Sequence, residues 1–162
     1  MADLYAKAGR EKVKCYIFDL DGTLADDSHR WHHIARTGDW EKYYSECPHD
    51  KPIQHVIEVA RALHAAGFSI IIVTGRSESI RRETEEWLLQ HGVLYTELIM
   101  RKKTDRRRNS ELKLEALEDL VLRGYLPLMV FEDLPAAVTT YRRAGVPCAQ
   151  VADPEEWETK HP

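Results

Sequence analysis

The chain has 162 residues, about the size of one domain, so a second catalytic module is not expected. Hydrophobic residues make up 43% and charged residues 31%, which excludes a disordered chain, and no apolar run approaches the ~20 residues that cross a bilayer. The 23 basic and 27 acidic residues give a formal charge of −4, so the whole chain is no polycation and any nucleic-acid contact needs a local basic patch.

The start Met1-Ala2-Asp3 lacks the basic and apolar regions of a secretory signal. Cys15, Cys47 and Cys148 are odd in number and widely spaced, so no disulfide framework is written here and a cytoplasmic protein is expected. The first apolar segment, residues 13–18, is rich in β-branched and aromatic residues and reads as a strand ending at Asp19. A polar stretch over residues 26–52 follows. In it Trp40, Tyr43, Tyr44 and Cys47 have helical spacing after a possible Asp39 cap, which predicts a small packed insertion whose Trp31 and Trp40 fill its own core, the alternative being that they stack on bases.

A helix is expected over residues 52–66, with Pro52 in its first turn and Gly67 as its stop. The continuous apolar run at residues 68–73 reads as a strand buried on both faces, ending at Thr74-Gly75-Arg76. Ser77 is placed to cap a helix running to about His91, and a short strand is expected near residues 98–100. After a basic loop, Ser110 is placed to cap a helix to Arg123; a strand over residues 126–131 then ends at Glu132-Asp133. A helix opened by Pro135 and a last strand near residues 148–151 complete the series, leaving the two chain ends loosely held. Alternating strands and helices predict an α/β fold, with a parallel sheet whose ligands sit at the carboxyl ends of its strands.

Those ends carry chemistry. Asp19-Leu20-Asp21-Gly22-Thr23-Leu24 sets two carboxylates two residues apart after a strand, where alternate side chains share a face. Two anions so close need a cation, and Mg²⁺ suits a few carboxylates plus a phosphate. A calcium loop of the EF-hand kind does not fit, because Gly22 stands at the fourth position rather than the sixth. Thr74-Gly75-Arg76 offers a hydroxyl and an unobstructed backbone amide, and Glu132-Asp133 is a second acidic pair. Lys113 lies in the first turn of its helix, where a cation is unfavourable without an anion nearby. His29, His32, His33 and His49 with Cys47 fit no standard zinc spacing and read as a polar helix face.

In this order the motifs Asp19-x-Asp21-Gly22-Thr23, Thr74-Gly75-Arg76, Lys113 and Glu132-Asp133 resemble the four motifs of the haloacid dehalogenase superfamily, over roughly residues 13–151. The resemblance implies a Rossmann-like three-layer fold and Mg²⁺-dependent phosphoryl transfer through an aspartyl-phosphate. Asp19 would be nucleophile and metal ligand, and Asp21 a general acid and base counted with the metal site. Thr74 would hold the phosphoryl group and Lys113 neutralise charge, while Asp133 with Glu132 anchors the metal.

A closer resemblance is to the 3′-phosphatase domain of bacteriophage polynucleotide kinase/phosphatase. It rests on residues 74–87, 98–113 and 141–152, and implies substrate-binding roles for Arg30, Gly75 and Arg76. Asn109 and Glu132-Asp133-Leu134 depart from its pattern, which has an acidic residue and Asp-Asp-Arg there. No Gly-x-x-x-x-Gly-Lys-Ser/Thr loop occurs in the chain.

The expected activity is therefore removal of 3′-phosphates from DNA or RNA ends. The alternatives are a nucleotide or other small-ester phosphatase on the same residues, and a non-enzymatic nucleic-acid-binding module. Residues 101–108 pack six cations and one anion, and read equally as a solvated loop or a substrate-facing patch.

Overall fold

The structure, a computed structural model, describes residues 12–152. The chain ends expected to be loosely held fall outside them, apart from Lys12. Among the described residues no helix is long and apolar enough to cross a membrane. A five-stranded parallel sheet is built from β1 (Val13–Phe18), β4 (Ser69–Ser77), β5 (Glu97–Arg101), β6 (Tyr125–Glu132) and β7 (Cys148–Gln150), in the order β5-β4-β1-β6-β7. Strand alternation sorts the apolar side chains between two layers. Cys15, Ile17, Ile71 and Val73 pack with Leu117 and Leu120 of α5 (Asn109–Leu122) and Val138 and Tyr141 of α6 (Pro135–Arg143). On the other face Phe18, Ile70 and Ile72 meet Val56 and Ile57 of α3 (Gln54–Ala65) and Trp87 and Leu88 of α4 (Arg81–Gln90). This is the three-layer α/β arrangement, with β1 flanked by β4 and β6. The chain order changes direction beside β1, which opens a crevice at the carboxyl ends of these three strands.

Three local readings are corrected. Pro52 does not open the helix: β2 (Ala25–Asp26) and β3 (Lys51–Pro52) pair antiparallel, and α3 begins at Gln54. The ribbon and the bond from the Ile53 amide to Leu24 O, 2.8 Å, close the neck of the insertion. Ser110 lies inside α5, which starts at Asn109; the start is satisfied by Glu111, whose carboxylate accepts the Arg108 amide at 3.0 Å. Ser77 accepts from the Ser79 amide and opens a short 3₁₀ turn before α4.

The residues of the second motif are also not simply past the strand. Val73 pairs with Ile99 and Ser77 with Arg101, so Thr74, Gly75 and Arg76 oppose the single residue Met100. Such a bulge re-aims side chains. Within the insertion lie α1 (Trp31–Thr37) and α2 (Trp40–Ser45), with Asp39 capping α2 through the Lys42 amide at 3.0 Å. Tyr43 and Cys47 are buried as expected of a small core, but Trp40 is 53% exposed and fills no core.

Candidate active site

Asp19 follows β1 directly and is fixed by its amide, which donates to Phe131 O of β6 at 3.0 Å. Lys113, from α5, points its Nζ to Asp19 Oδ1 at 2.9 Å and to Glu132 Oε2 at 2.5 Å. Glu132 accepts the Leu134 amide on its other oxygen at 3.1 Å. Asp19, Glu132 and Asp133 bring one carboxylate oxygen each within 4.8 Å of one another, all three residues buried. Three carboxylates against one ammonium leave a formal charge of −2 in a buried pocket. A hard, oxygen-only donor set with that deficit fits one divalent cation such as Mg²⁺. The carboxyl groups record the same deficit. Burial, and then Glu132, push Asp19 up to about 7 against the pull of Lys113. Burial, Asp19 and Glu132 raise Asp133 well above the usual carboxylate range. The flanking carboxylates of Asp19 and Glu132 outweigh burial and hold Lys113 well above its usual value.

Gly22 explains why no larger residue follows Asp21. Its φ is +79°, and a Cβ there would stand 2.2 Å from Asp133 Oδ2. A side chain would displace the Asp133 carboxylate from the cluster.

Asp21 lies outside that acidic trio, although it was expected among the metal ligands. Its Oδ1 instead accepts from Arg30 Nη2 at 2.6 Å and from Arg76 Nε at 2.9 Å. Burial favours its neutral form, but Arg76 and Arg30 outweigh it and hold the carboxyl at about 2. Both guanidinium groups also reach Asp50: Arg30 Nε donates to its Oδ1 and Arg30 Nη2 to its Oδ2, each at 2.7 Å, and Arg76 Nη2 to Oδ2. Two arginines and two carboxylates thus neutralise one another in the interior. Arg30 and Arg76, expected to bind substrate, are fully buried behind Asp21, and neither is among the residues that line the cleft. Arg76 keeps one buried donor, Nη1, that finds no acceptor among the described residues.

Asp50 was missed in the sequence because it sits in no motif. The only signal was arithmetic: two arginines carried into a buried site need more than one carboxylate. Its backbone carbonyl accepts from Trp87 Nε1 at 2.9 Å, tying the insertion to α4. Asp27 and Tyr43 were missed for the same reason. Tyr43 Oη donates to Asp27 Oδ2 at 2.5 Å, its ring lies under the Arg30 guanidinium at 4.0 Å, and burial followed by Asp21 pushes Asp27 up to about 7.

The remaining predicted residues meet at one cleft of about 600 Å³. Its floor carries Asp19, Asp21, Thr74, Gly75, Lys113, Glu132 and Asp133. Thr74 Oγ1 accepts the Arg76 amide at 3.1 Å, which leaves its own hydrogen for another acceptor. Asn109 stacks over Gly75, where a Cβ would meet its Oδ1 at 2.4 Å, and accepts from Arg101 Nη2 at 2.6 Å. Asn109 therefore joins the bulge to the start of α5 rather than supplying a charge. The insertion forms one wall of the cleft and the loop between β5 and α5 the other. Two histidines of the insertion meet carboxylates, His29 Nε2 with Asp50 Oδ1 and His33 Nε2 with Glu46 Oε1, both at 3.0 Å, and His32 Nδ1 lies 3.0 Å from the His29 carbonyl. Among the described residues they gather no metal-ligating group.

Residues 13–155 match the family model of the polynucleotide kinase PNKP phosphatase domain. A chain in a solved Pnkp1/Rnl/Hen1 complex is 26% identical, with a TM-score of 0.76 over 91% of this chain and 48% of that one. A second, from the Pnkp1/Rnl/Hen1 RNA repair complex, is 27% identical with a TM-score of 0.74 over 89% of this chain and 44% of that one. The present chain thus spans a little under half the length of those two. The class C acid phosphatase from Bacillus anthracis, solved with tungstate bound, shares the fold at 17% identity and a TM-score of 0.67, over 99% of this chain and 77% of that one. The chain is a haloacid dehalogenase superfamily phosphatase and belongs to the PNKP phosphatase-domain family.

Proposed function

We propose that the protein is a Mg²⁺-dependent phosphatase that removes 3′-phosphates from DNA or RNA ends through a phosphate ester on Asp19. The observation that carries the chemistry is the buried trio Asp19, Glu132 and Asp133 with the Lys113 ammonium set between Asp19 and Glu132, four groups of formal charge −2 at the floor of a cleft. Asp19 and Asp133, with Glu132, would hold the ion, which when bound supplies charge neutralisation for the phosphoryl oxygens.

The residues do the rest. An oxygen of Asp19 attacks phosphorus, the bond from phosphorus to the sugar oxygen breaks, and Asp21 returns a proton to that oxygen. Its carboxyl, held near 2 by Arg76 and Arg30 against burial, is ionised in the empty cleft. The proton for this step therefore arrives with a substrate bound as its monoanion. In the second step the ionised Asp21 takes a proton from water, which attacks the phosphorus on Asp19 and frees inorganic phosphate. Lys113 offsets the charge on Asp19, and the Thr74 hydroxyl donates to a phosphoryl oxygen. Arg30 and Arg76 act through Asp21: they orient it and keep it a carboxylate for the second step.

Membership of the PNKP phosphatase-domain family and the cationic wall of the cleft support a nucleic-acid end as substrate. The test is phosphate release, with Mg²⁺, from a 3′-phosphorylated oligonucleotide, its 5′-phosphorylated isomer and nucleoside monophosphates. Turnover of the first far above the others is expected. Turnover confined to the mononucleotides would replace this reading with a nucleotide phosphatase.

A further inference from the structure

We infer that the cleft holds a subsite for the nucleotide chain behind the reacting phosphate: Trp40 with Tyr44 stacks the terminal base, and Lys102, Lys103 and Arg106 hold the preceding phosphates. The inference rests on the reading just proposed and deepens it.

The two walls differ in chemistry. The insertion contributes Trp31, Ile34, Trp40, Tyr43 and Tyr44 to the cleft. Trp40, which lines the cleft, is 53% exposed overall, and its ring is held by Tyr43 at 5.7 Å and Tyr44 at 5.8 Å. An indole held in place by its neighbours yet open on the cleft is a platform for a flat apolar face.

The facing wall is cationic, but its charges are not equivalent. Arg101 is spent within the protein on Gly75 O, Arg107 O and Asn109 Oδ1, and Arg107 on Asp105 and Glu115. Lys102, Lys103 and Arg106 line the cleft and are exposed, and among the described residues their side chains make no hydrogen bond or ion pair. Three unpaired like charges within five residues repel one another unless an anion lies between them. Free phosphate would satisfy the cations and leave the aromatic wall idle, and a mononucleotide would leave the cations idle. A polymer that alternates flat bases with phosphates uses both walls, and a base can stack on Trp40 only when released from its duplex neighbour. The subsite therefore selects single-stranded ends of two or more nucleotides.

The experiment has two arms. In the first, the wild-type chain with Mg²⁺ is given a 3′-phosphorylated tetranucleotide; no phosphate release would overturn the proposed function itself. In the second, binding of the same oligonucleotide to Asp19→Asn protein is followed by tryptophan fluorescence at several salt concentrations. The triple variant Lys102→Ala/Lys103→Ala/Arg106→Ala in that background should flatten the slope of log affinity against log salt by about 2, at roughly 0.7 per phosphate contact on a single strand. Trp40→Ala should weaken binding about 5- to 150-fold, the effect of one lost base–aromatic stack. It should also erase discrimination between a normal and an abasic 3′ end. Trp40→Phe, which keeps a ring, should recover most of the affinity and separates lost stacking from lost fold. Unchanged slopes in the triple variant, or abasic discrimination that survives Trp40→Ala, would overturn the subsite while the first arm leaves the phosphatase reading standing.

Discussion

Asp50 makes no contact with the acidic trio in the hydrogen-bond network described above, yet it bonds both arginines that hold Asp21. Asp50→Ala would leave two buried guanidinium groups facing one carboxylate, and breaking a buried pair in this way destabilises by about 3–5 kcal/mol. Urea unfolding of the purified variant measures it, and a loss below about 1 kcal/mol would show that the arginines find other partners. Asp19→Asn removes the attacking oxygen's charge and should lower turnover on the order of 10⁴-fold or more while leaving the circular dichroism spectrum unaltered. Activity near the wild-type level would sink the ester on Asp19. Gly22→Ala forces a Cβ toward Asp133 at a positive φ, and should weaken Mg²⁺ binding about 10- to 100-fold, as read by calorimetric titration.

The elements show what a sequence can and cannot carry. β1, the helices after it and the strand ends bearing Asp19, Thr74 and Glu132 were legible because hydrophobic period and turn residues are local signals. The bulge at Thr74–Arg76 was not, since it is a mismatch with β5, and pairing register is invisible in one strand alone. The β2/β3 ribbon escaped for a similar reason: two residues form too short a run to carry a period, and Pro52 is equally suited to a helix start. Lys113 read alone only as a cation unfavourably placed in the first turn of its helix, and Asp19 and Glu132 are the anions that explain its burial. The substrate roles of Arg30 and Arg76 came from the resemblance alone, and their bonds to Asp50 were not legible because Asp50 sits in no motif. At this scale Glu111→Ala should remove the bond to the Arg108 amide and destabilise α5 by about 1 kcal/mol. A thermal unfolding midpoint lower by several degrees would register it.

For the molecule as a whole, the acidic floor links stability, pH and metal. Burial lifts Asp19 and Asp27 to about 7, far above their unfolded value near 3.8. The folded chain then holds protons that the unfolded chain has released. That contribution is complete below about pH 4 and is lost as pH rises through about 7. The metal-free protein should therefore melt at a lower temperature near pH 8 than near pH 5. Asp21 works in the opposite sense, but only below about pH 4, outside this window. Mg²⁺ needs the ionised carboxylates, so its affinity should climb across the same window, and saturating Mg²⁺ should restore the melting temperature lost near pH 8. Scanning calorimetry with and without the ion checks both, and a melting temperature that rises with pH in the metal-free protein would contradict the burial of these acids.

The insertion presents the aromatic wall and also delivers Asp50 beneath the floor. Anyone transplanting a foreign segment between β2 and β3 to retarget the enzyme inherits that double duty. A donor loop that keeps an arginine at position 30 but lacks an acid at position 50 would strand that arginine and Arg76, and the chimaera would fail in folding before its selectivity was ever measured.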